Sequence, residues 1–319
     1  MTIKTPLLKS SALSTINNCN IWLKMESSQP AGSFKQRSIG HACRQYAKRG
    51  AKKFISSSGG NAGISVAYIG NQLNIPVTVV VPQTTSQKAI DLMRKENAEV
   101  IVHGDFWADA NELAVSFVNS EAVYIHPFDD QYLWDGISEI IDEVIADSVK
   151  PDAVILSVGG GSLLSGIHQG LLANSLDIPI YAVETEGTAS LHTAIKMNQH
   201  IKLDKVSGVA TTLAAQQVCE NAFLISQNNQ NIKSLIVSDQ AAVSACLNFL
   251  DDHRTLVEPA CGATLSVLYD HKISFSPKDN ILVIVCGGAS ITLDQLSKYS
   301  FALKNPEDIL SYASTQVIP

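Results

Sequence analysis

Short runs of aliphatic and β-branched residues alternate with longer amphipathic segments along most of the chain. This pattern predicts βα units built around parallel sheets. The apolar runs lie at 53–57, 76–81, 99–103, 122–125, 153–158, 178–184, 235–237 and 281–286. Between them, the segments 64–73, 86–97, 109–118 and 134–146 repeat apolar residues three and four apart and predict helices. The runs Val-Ile-Leu-Ser-Val and Ile-Leu-Val-Ile-Val leave no polar face, as expected of strands covered on both sides by helices. The fold class is therefore α/β. No low-complexity linker or internal repeat divides the chain, and the stretch 127–130 reads as a crossing between an early group of four strands and a later group.

Composition narrows the classes of function. With 45% hydrophobic and 17% charged residues, the 319-residue chain can fill one large or two modest cores and has little capacity for disordered tails. The net charge is −7 without long runs of either sign, which argues against a nucleic-acid partner. Six cysteines lie far apart with no C-x-x-C spacing, and no apolar stretch is long enough to span a bilayer or to serve as a signal sequence. A cytoplasmic protein with no membrane partner is expected.

In open α/β sheets, ligands bind beyond the carboxyl ends of the strands. Glycine clusters stand there three times: Ser58-Gly59-Gly60-Asn61-Ala62-Gly63 after the run at 53–57, Gly159-Gly160-Gly161-Ser162-Leu163 after that at 153–158, and Cys286-Gly287-Gly288 after that at 281–285. Glycine lets backbone N–H groups crowd around an anion, and a following helix adds partial positive charge. Any one of these loops reads equally well as a tight turn, but their joint occurrence points to an anionic ligand. Leu164 occupies the place of the third glycine in G-x-G-x-x-G, and no Gly-Lys-Ser/Thr follows a spaced glycine, so the dinucleotide and P-loop fingerprints are both absent.

Upstream lies Gly32-Ser33-Phe34-Lys35-Gln36-Arg37. An arbitrary lysine is a surface residue. A desolvated one, however, loses its proton readily and can form a Schiff base with an aldehyde. An aldehyde that carries a phosphate is pyridoxal 5′-phosphate.

Six ordered blocks then carry a resemblance over essentially the whole chain: Gly-Ser-Phe-Lys-Gln-Arg at 32–37, Ser-Ser-Gly-Gly-Asn-Ala-Gly at 57–63, Pro-Phe-Asp-Asp at 127–130, Ser-Val-Gly-Gly-Gly at 157–161, Val-Glu-Pro-Ala-Cys-Gly-Ala at 257–263 and Val-Ile-Val-Cys-Gly-Gly at 283–288. The sequence resembles the serine/threonine dehydratase group of fold type II pyridoxal-phosphate enzymes, and most closely the short L-serine dehydratases (L-serine ammonia-lyases). The resemblance implies a tryptophan synthase β-like fold with two open, twisted, mostly parallel sheets flanked by helices. A small unit over 42–132 would be inserted into a large cofactor-binding unit formed by 1–41 and 133–319, and the assembly would be a homodimer.

By the same resemblance, Lys35 holds the cofactor and takes the substrate Cα proton. Phe34 packs on the pyridine ring, Asn61 bonds the phenolic oxygen, and Gly159, Gly160, Gly161, Ser162 and Leu163 cup the phosphate. Ser58, Gly59, Gly60 and Asn61 cradle the substrate carboxylate, with Ser58 also a catalytic candidate. Cys286 faces the pyridine nitrogen, where a neutral thiol makes the ring a weaker electron sink than a carboxylate would and favours elimination over transamination. A monovalent cation, K+, would sit at Glu184 with carbonyl oxygens from Gly159, Thr188, Leu213 and Ala215. The reaction implied is β-elimination from L-serine, with L-threonine as a further candidate, to a 2-oxo acid and ammonia.

Some positions depart from the family pattern. Gly59 stands where alanine is common and where racemase relatives carry serine; losing the methyl is expected to loosen the carboxylate turn and to disfavour racemisation. Ser162 replaces the fourth glycine of the phosphate cup, Ser38 follows Arg37 where glycine is usual, and Thr211-Thr212 bring β-branched bulk toward the substrate β-carbon. The alternatives are a cysteine-synthase-like β-replacement enzyme, whose Thr-Ser-Gly-Asn-Thr loop the sequence does not match, and a non-catalytic binding homologue, which the joint presence of Lys35, Asn61 and Cys286 argues against.

Overall fold

The structure is a computed structural model and describes residues 2–304. The chain runs β1 (Leu7–Lys9), α1 (Ser11–Asn17), β2 (Asn20–Lys24), α2 (Lys35–Lys48), β3 (Lys53–Ser56), α3 (Asn61–Leu73), β4 (Val77–Val81) and α4 (Gln87–Lys95). It continues through β5 (Glu99–Val102), α5 (Trp107–Ser116), β6 (Ala122–Tyr124), α6 (Gln131–Ala146), β7 (Ala153–Ser157), α7 (Ser162–Ala173) and β8 (Ile180–Thr185). The remainder is α8 (Ser190–Met197), α9 (Glu220–Asn228), β9 (Ile232–Val237), α10 (Asp239–His253), α11 (Pro259–Tyr269), β10 (Asn280–Ile284) and α12 (Leu293–Lys304).

Two sheets organise these elements: a six-stranded one in the order β1-β2-β10-β7-β8-β9 and a four-stranded one in the order β5-β4-β3-β6. Every pairing is parallel except β1 with β2. Of the two runs without a polar face, β7 is buried throughout and β10 at all but its first residue, because helices cover both sides of a parallel sheet. Ser86 and Asp130 cap α4 and α6 by accepting a first-turn backbone N–H, which is why those helices begin where they do. The expected limits at 42 and 132 fall inside α2 and α6, so neither lies in a connection between elements. Residues 305–319 of the expected large unit lie outside the described residues. Among the described residues, no helix is long and apolar enough to cross a membrane.

The hydrophobic pattern overlooked β1 and β2. The first is three residues long, and the second ends in Lys24, a charge that reads as solvent-facing. In the structure Lys24 is fully buried, at 0% exposure, with its ammonium on Glu143 and on the Thr5 carbonyl at 2.8 Å. Arg37 of α2, 1% exposed, lies beside it. Its guanidinium reaches Glu26 at 2.8 Å through Nε and Glu143 at 2.8 and 2.7 Å through the two terminal nitrogens. Thr5 Oγ1 donates to the second Glu26 oxygen at 2.6 Å. Two cations and two carboxylates thus cancel inside the protein, tying the end of β2, the start of α2 and the middle of α6 together. Removing one partner of such a cluster strands the rest in low dielectric. Arg37→Leu is expected to lower unfolding free energy by about 3–5 kcal/mol, measured by urea denaturation; wild-type stability would show that the cluster does not anchor α2.

Candidate active site

Lys35 is the first residue of α2, and the turn before it is pinned from the other end of the chain. The Phe34 N–H donates to the Cys286 carbonyl at 3.0 Å, Ser33 bridges to Gly287, and the Gly288 N–H donates to the Gly32 carbonyl at 2.9 Å. The Lys35 Nζ donates to the Pro127 carbonyl at 2.6 Å and to Ser162 Oγ at 3.1 Å, and lies 5.0 Å from the centre of the Phe34 ring. Burial lowers its pKa from 10.5 to about 8, partly offset by the Cys219 and Cys286 thiols. The neutral, nucleophilic amine is therefore present at a much lower pH than for a surface lysine.

His126 organises the turn that holds this amine, a role the sequence reading missed. Its Nδ1 accepts the Asp129 N–H at 2.7 Å and the Phe128 N–H at 3.2 Å. Burial, and then the charge of Lys35, push its pKa down to about 4, so it acts as a neutral acceptor. The histidine directly precedes the 127–130 block, and that adjacency was the available signal.

Gly159, Gly160 and Gly161 lead into α7, which starts with no side-chain cap. The first-turn N–H groups are thus left for an anion. Gly160 must lack a side chain, because a Cβ there would come within 2.1 Å of the Phe128 ring. Gly161 has φ +91°, a conformation that glycine adopts without strain. Ser162 and Leu163 open the helix, and the Ser162 hydroxyl that departs from the glycine pattern is the one that receives the Lys35 amine.

The second loop folds back on itself. The Gly60 N–H donates to Ser58 Oγ at 3.3 Å, leaving Ser58, Gly59 and Gly60 half-buried ahead of Asn61 at the head of α3. Asn61 is buried and claimed from two sides: its Nδ2 donates to Glu258 Oε1 at 2.8 Å, and its Oδ1 accepts the Ala289 N–H at 3.0 Å. Gly59 was expected to leave the turn loose. Instead, the room of the missing methyl is filled by Thr85, whose Oγ1 and Cγ2 lie 2.4 and 2.8 Å from where a Cβ would stand. Thr212 Oγ1 also donates to Glu258 Oε1, at 2.7 Å, which leaves its methyl 3.7 Å from the Cβ position of Gly60. Of the expected bulk at 211–212, an apolar methyl thus borders the turn.

Cys286 is buried at the end of β10, with its Sγ 3.7 Å from Ser157 Oγ. A hydrogen bond with Cys261 and burial hold its pKa well above the ordinary thiol value, so the group is neutral. Glu184, at the end of β8, is fully buried. Its two oxygens accept the Leu191 and His192 N–H groups of α8 at 2.8 and 2.7 Å, and burial raises its pKa to about 7. Gly159 lies against Leu213, whose carbonyl already accepts the Ala215 N–H at 2.7 Å, while Thr188 bonds back to Thr185. Among the described residues, no cluster of three or more His, Cys, Asp or Glu side chains could hold a metal ion.

Comparison with known proteins agrees with this geometry. The family model described as "Pyridoxal-phosphate dependent enzyme" matches residues 2–287. L-serine dehydratase of Dictyostelium discoideum is 45% identical over 317 residues, covering 92% of this chain and 90% of that protein. L-serine dehydratase/L-threonine deaminase of Homo sapiens is 42% identical, with 92% and 93% covered. The solved fungal L-serine ammonia-lyase of Rhizomucor miehei superposes with a TM-score of 0.89 at 33% identity, covering 93% of this chain and 98% of its own.

The packing of Thr85 against Gly59 leads to a reciprocal expectation. Gly59→Ala alone should raise KM for the amino-acid substrate roughly ten-fold, the cost of overpacking a tight site. Adding Thr85→Ala leaves only a Cβ at 3.2 Å and should restore most of the loss. Equal KM values for both variants would show that Thr85 does not fill that place.

Proposed function

The chain belongs to the pyridoxal-phosphate dependent enzyme family, and we propose that it is an L-serine ammonia-lyase that also accepts L-threonine, releasing pyruvate or 2-oxobutanoate with ammonia. The observation that carries this reading is the desolvated Lys35 amine, held by Pro127 and Ser162 at the head of the glycine loop. The residues present fit the cofactor. The uncapped start of α7 and the side-chain-free Gly160 suit a phosphate, and the buried neutral Cys286 thiol suits an unprotonated pyridine nitrogen. Lys35 would bond the aldehyde, Phe34 would border the ring and Asn61 would donate its remaining N–H to the ring oxygen. When bound, pyridoxal 5′-phosphate supplies an aldehyde for the substrate amine and a ring that draws electrons from Cα.

Everything else falls to the chain's own groups. The turn from Ser58 to Asn61, at the N-terminus of α3, receives the substrate carboxylate with its backbone N–H groups. The Lys35 amine, neutral in half the molecules at about pH 8, takes the Cα proton. Pro127 and Ser162 hold its Nζ in one place, and the Thr212 methyl borders the substrate side. The β-hydroxyl leaves as water, and one water is consumed when the product imine is hydrolysed, so serine becomes pyruvate and ammonia with atoms conserved.

We also propose a monovalent cation, K+, at Glu184. Among the described residues no cationic side chain pairs with this fully buried carboxylate, which is in want of countercharge. The Gly159, Thr188, Leu213 and Ala215 carbonyls, at the carboxyl ends of β7 and β8 and in the loop 211–215, complete the oxygen set. The unit over 42–132 is read as the part that closes over the substrate, and the enzyme as a cytoplasmic homodimer; six free, buried cysteines suit a reducing compartment.

Protein mixed with pyridoxal 5′-phosphate should develop a visible absorption band and form pyruvate from L-serine. Lys35→Ala should lose both, with activity reduced at least about a thousand-fold. A normal band without pyruvate would overturn the reaction, and no band in the wild type would overturn the cofactor. Replacing K+ by Na+ should lower both melting temperature and activity, and should change nothing in Glu184→Gln; a wild type indifferent to the exchange would remove the cation.

A further inference from the structure

Glu258 is a carboxylate that the steps above leave without a task. It stands immediately before α11 without a side-chain capping bond to that helix, is 6% exposed, and has no cationic side chain acting on it among the described residues. One of its oxygens, Oε1, receives two donors from opposite parts of the molecule. Asn61 Nδ2, at 2.8 Å, comes from the helix that follows a strand of the four-stranded sheet; Thr212 Oγ1, at 2.7 Å, comes from the loop beside the six-stranded sheet. The other oxygen, Oε2, fills the space beside Gly288, where a Cβ would stand 2.4 Å away. Gly288 and its neighbour Ala289 belong to the turn that also donates to Asn61 Oδ1.

An ionised carboxylate only accepts hydrogen bonds. Both partners must therefore turn their donors toward Glu258, and each is left with one remaining face. For Asn61, with Oδ1 also engaged, that face is the second N–H of the amide. For Thr212 it is the methyl that borders Gly60. Resting on the cofactor reading of the preceding subsection, we propose that Glu258 is a positioning residue: its Oε1 holds the Asn61 amide in one orientation toward the cofactor and turns the Thr212 methyl toward the substrate carboxylate turn.

A protonated Glu258 gains a donor and no longer dictates those orientations. Burial raises its pKa to about 7, opposed by the bonds from Thr212 and Asn61. The hold is therefore half-formed at about pH 7, approaches completion as pH rises above that value and is lost as pH falls below it. Cys246 of α10 and Cys286 have raised pKa values and are neutral, and Asn61 and Thr212 do not titrate. Lys35 titrates at about 8 and is common to all the variants below.

The test is equilibrium binding of pyridoxal 5′-phosphate to apo protein, with the fold checked by circular dichroism. Glu258→Gln keeps the shape but can present an amine to Asn61. It is expected to weaken binding about ten-fold above pH 7, as befits loss of a charge-assisted bond, and to reduce the steepening of the dissociation constant between about pH 8 and about pH 6. In an Asn61→Ala background the same change should cost no more than about two-fold, since the effect runs through Asn61. Equal losses in both backgrounds, or a Glu258→Gln protein that binds as the wild type does, overturn the proposal. Thr212→Val keeps the cradle intact and should raise KM for L-serine several-fold with cofactor affinity within about two-fold. An unchanged KM overturns that half, and this variant carries the test if Glu258→Gln does not fold. Wild-type protein that takes up no pyridoxal 5′-phosphate defeats the cofactor reading; wild type that does, beside an indifferent Glu258→Gln, defeats this inference alone.

Discussion

The Lys35 amine owes its place to a charge that never meets solvent. Arg37, two residues after Lys35, divides its guanidinium between Glu26 and Glu143 while Lys24 takes the remaining carboxylate face. Because no member can move without exposing another to uncompensated burial, the first turn of α2 cannot slide or rotate. Lys35 is then fixed in position while its own ammonium remains poorly solvated and readily deprotonated. The cluster supplies rigidity at one end of a turn whose other end carries the desolvated Lys35 amine.

Around that fixed point the three glycine loops are shaped by what approaches them. Phe128 occupies the face of Gly160, Thr85 the side of Gly59, and Glu258 the inner wall at Gly288. In each case a side chain from another loop stands where a Cβ would have been, so the glycines permit close approach between segments distant in sequence. The Asn61–Glu258 bond, the Ala289–Asn61 bond and the Lys88–Ile291 bond join the surroundings of the two sheets. The site therefore consists of contacts between two halves, and the orientation of Asn61 depends on both.

Much of this was legible before the tertiary structure. Parallel, doubly covered strands such as β7 and β10 announce themselves by apolar runs, and the loops after them by glycine, because backbone crowding at strand ends is a local requirement. Lys35, Asn61 and Cys286 could be singled out through their neighbours in sequence. β2 could not, since Lys24 is polar in sequence and buried in space. Nor could the role of Glu258, whose block was recognised but whose partners lie 197 and 46 residues away.

The amino-acid sequence by itself thus determined the α/β class, the strands that carry the site and the chemical types gathered at their ends, because hydrophobic period and turn chemistry act over a few residues. Only the tertiary structure decided which charges are buried together, which side chain fills the place beside Gly59 and which carboxylate commands Asn61. Those outcomes arise from desolvation and hydrogen bonding between segments far apart along the chain, and their energies exist only once the sheets have brought the segments into contact.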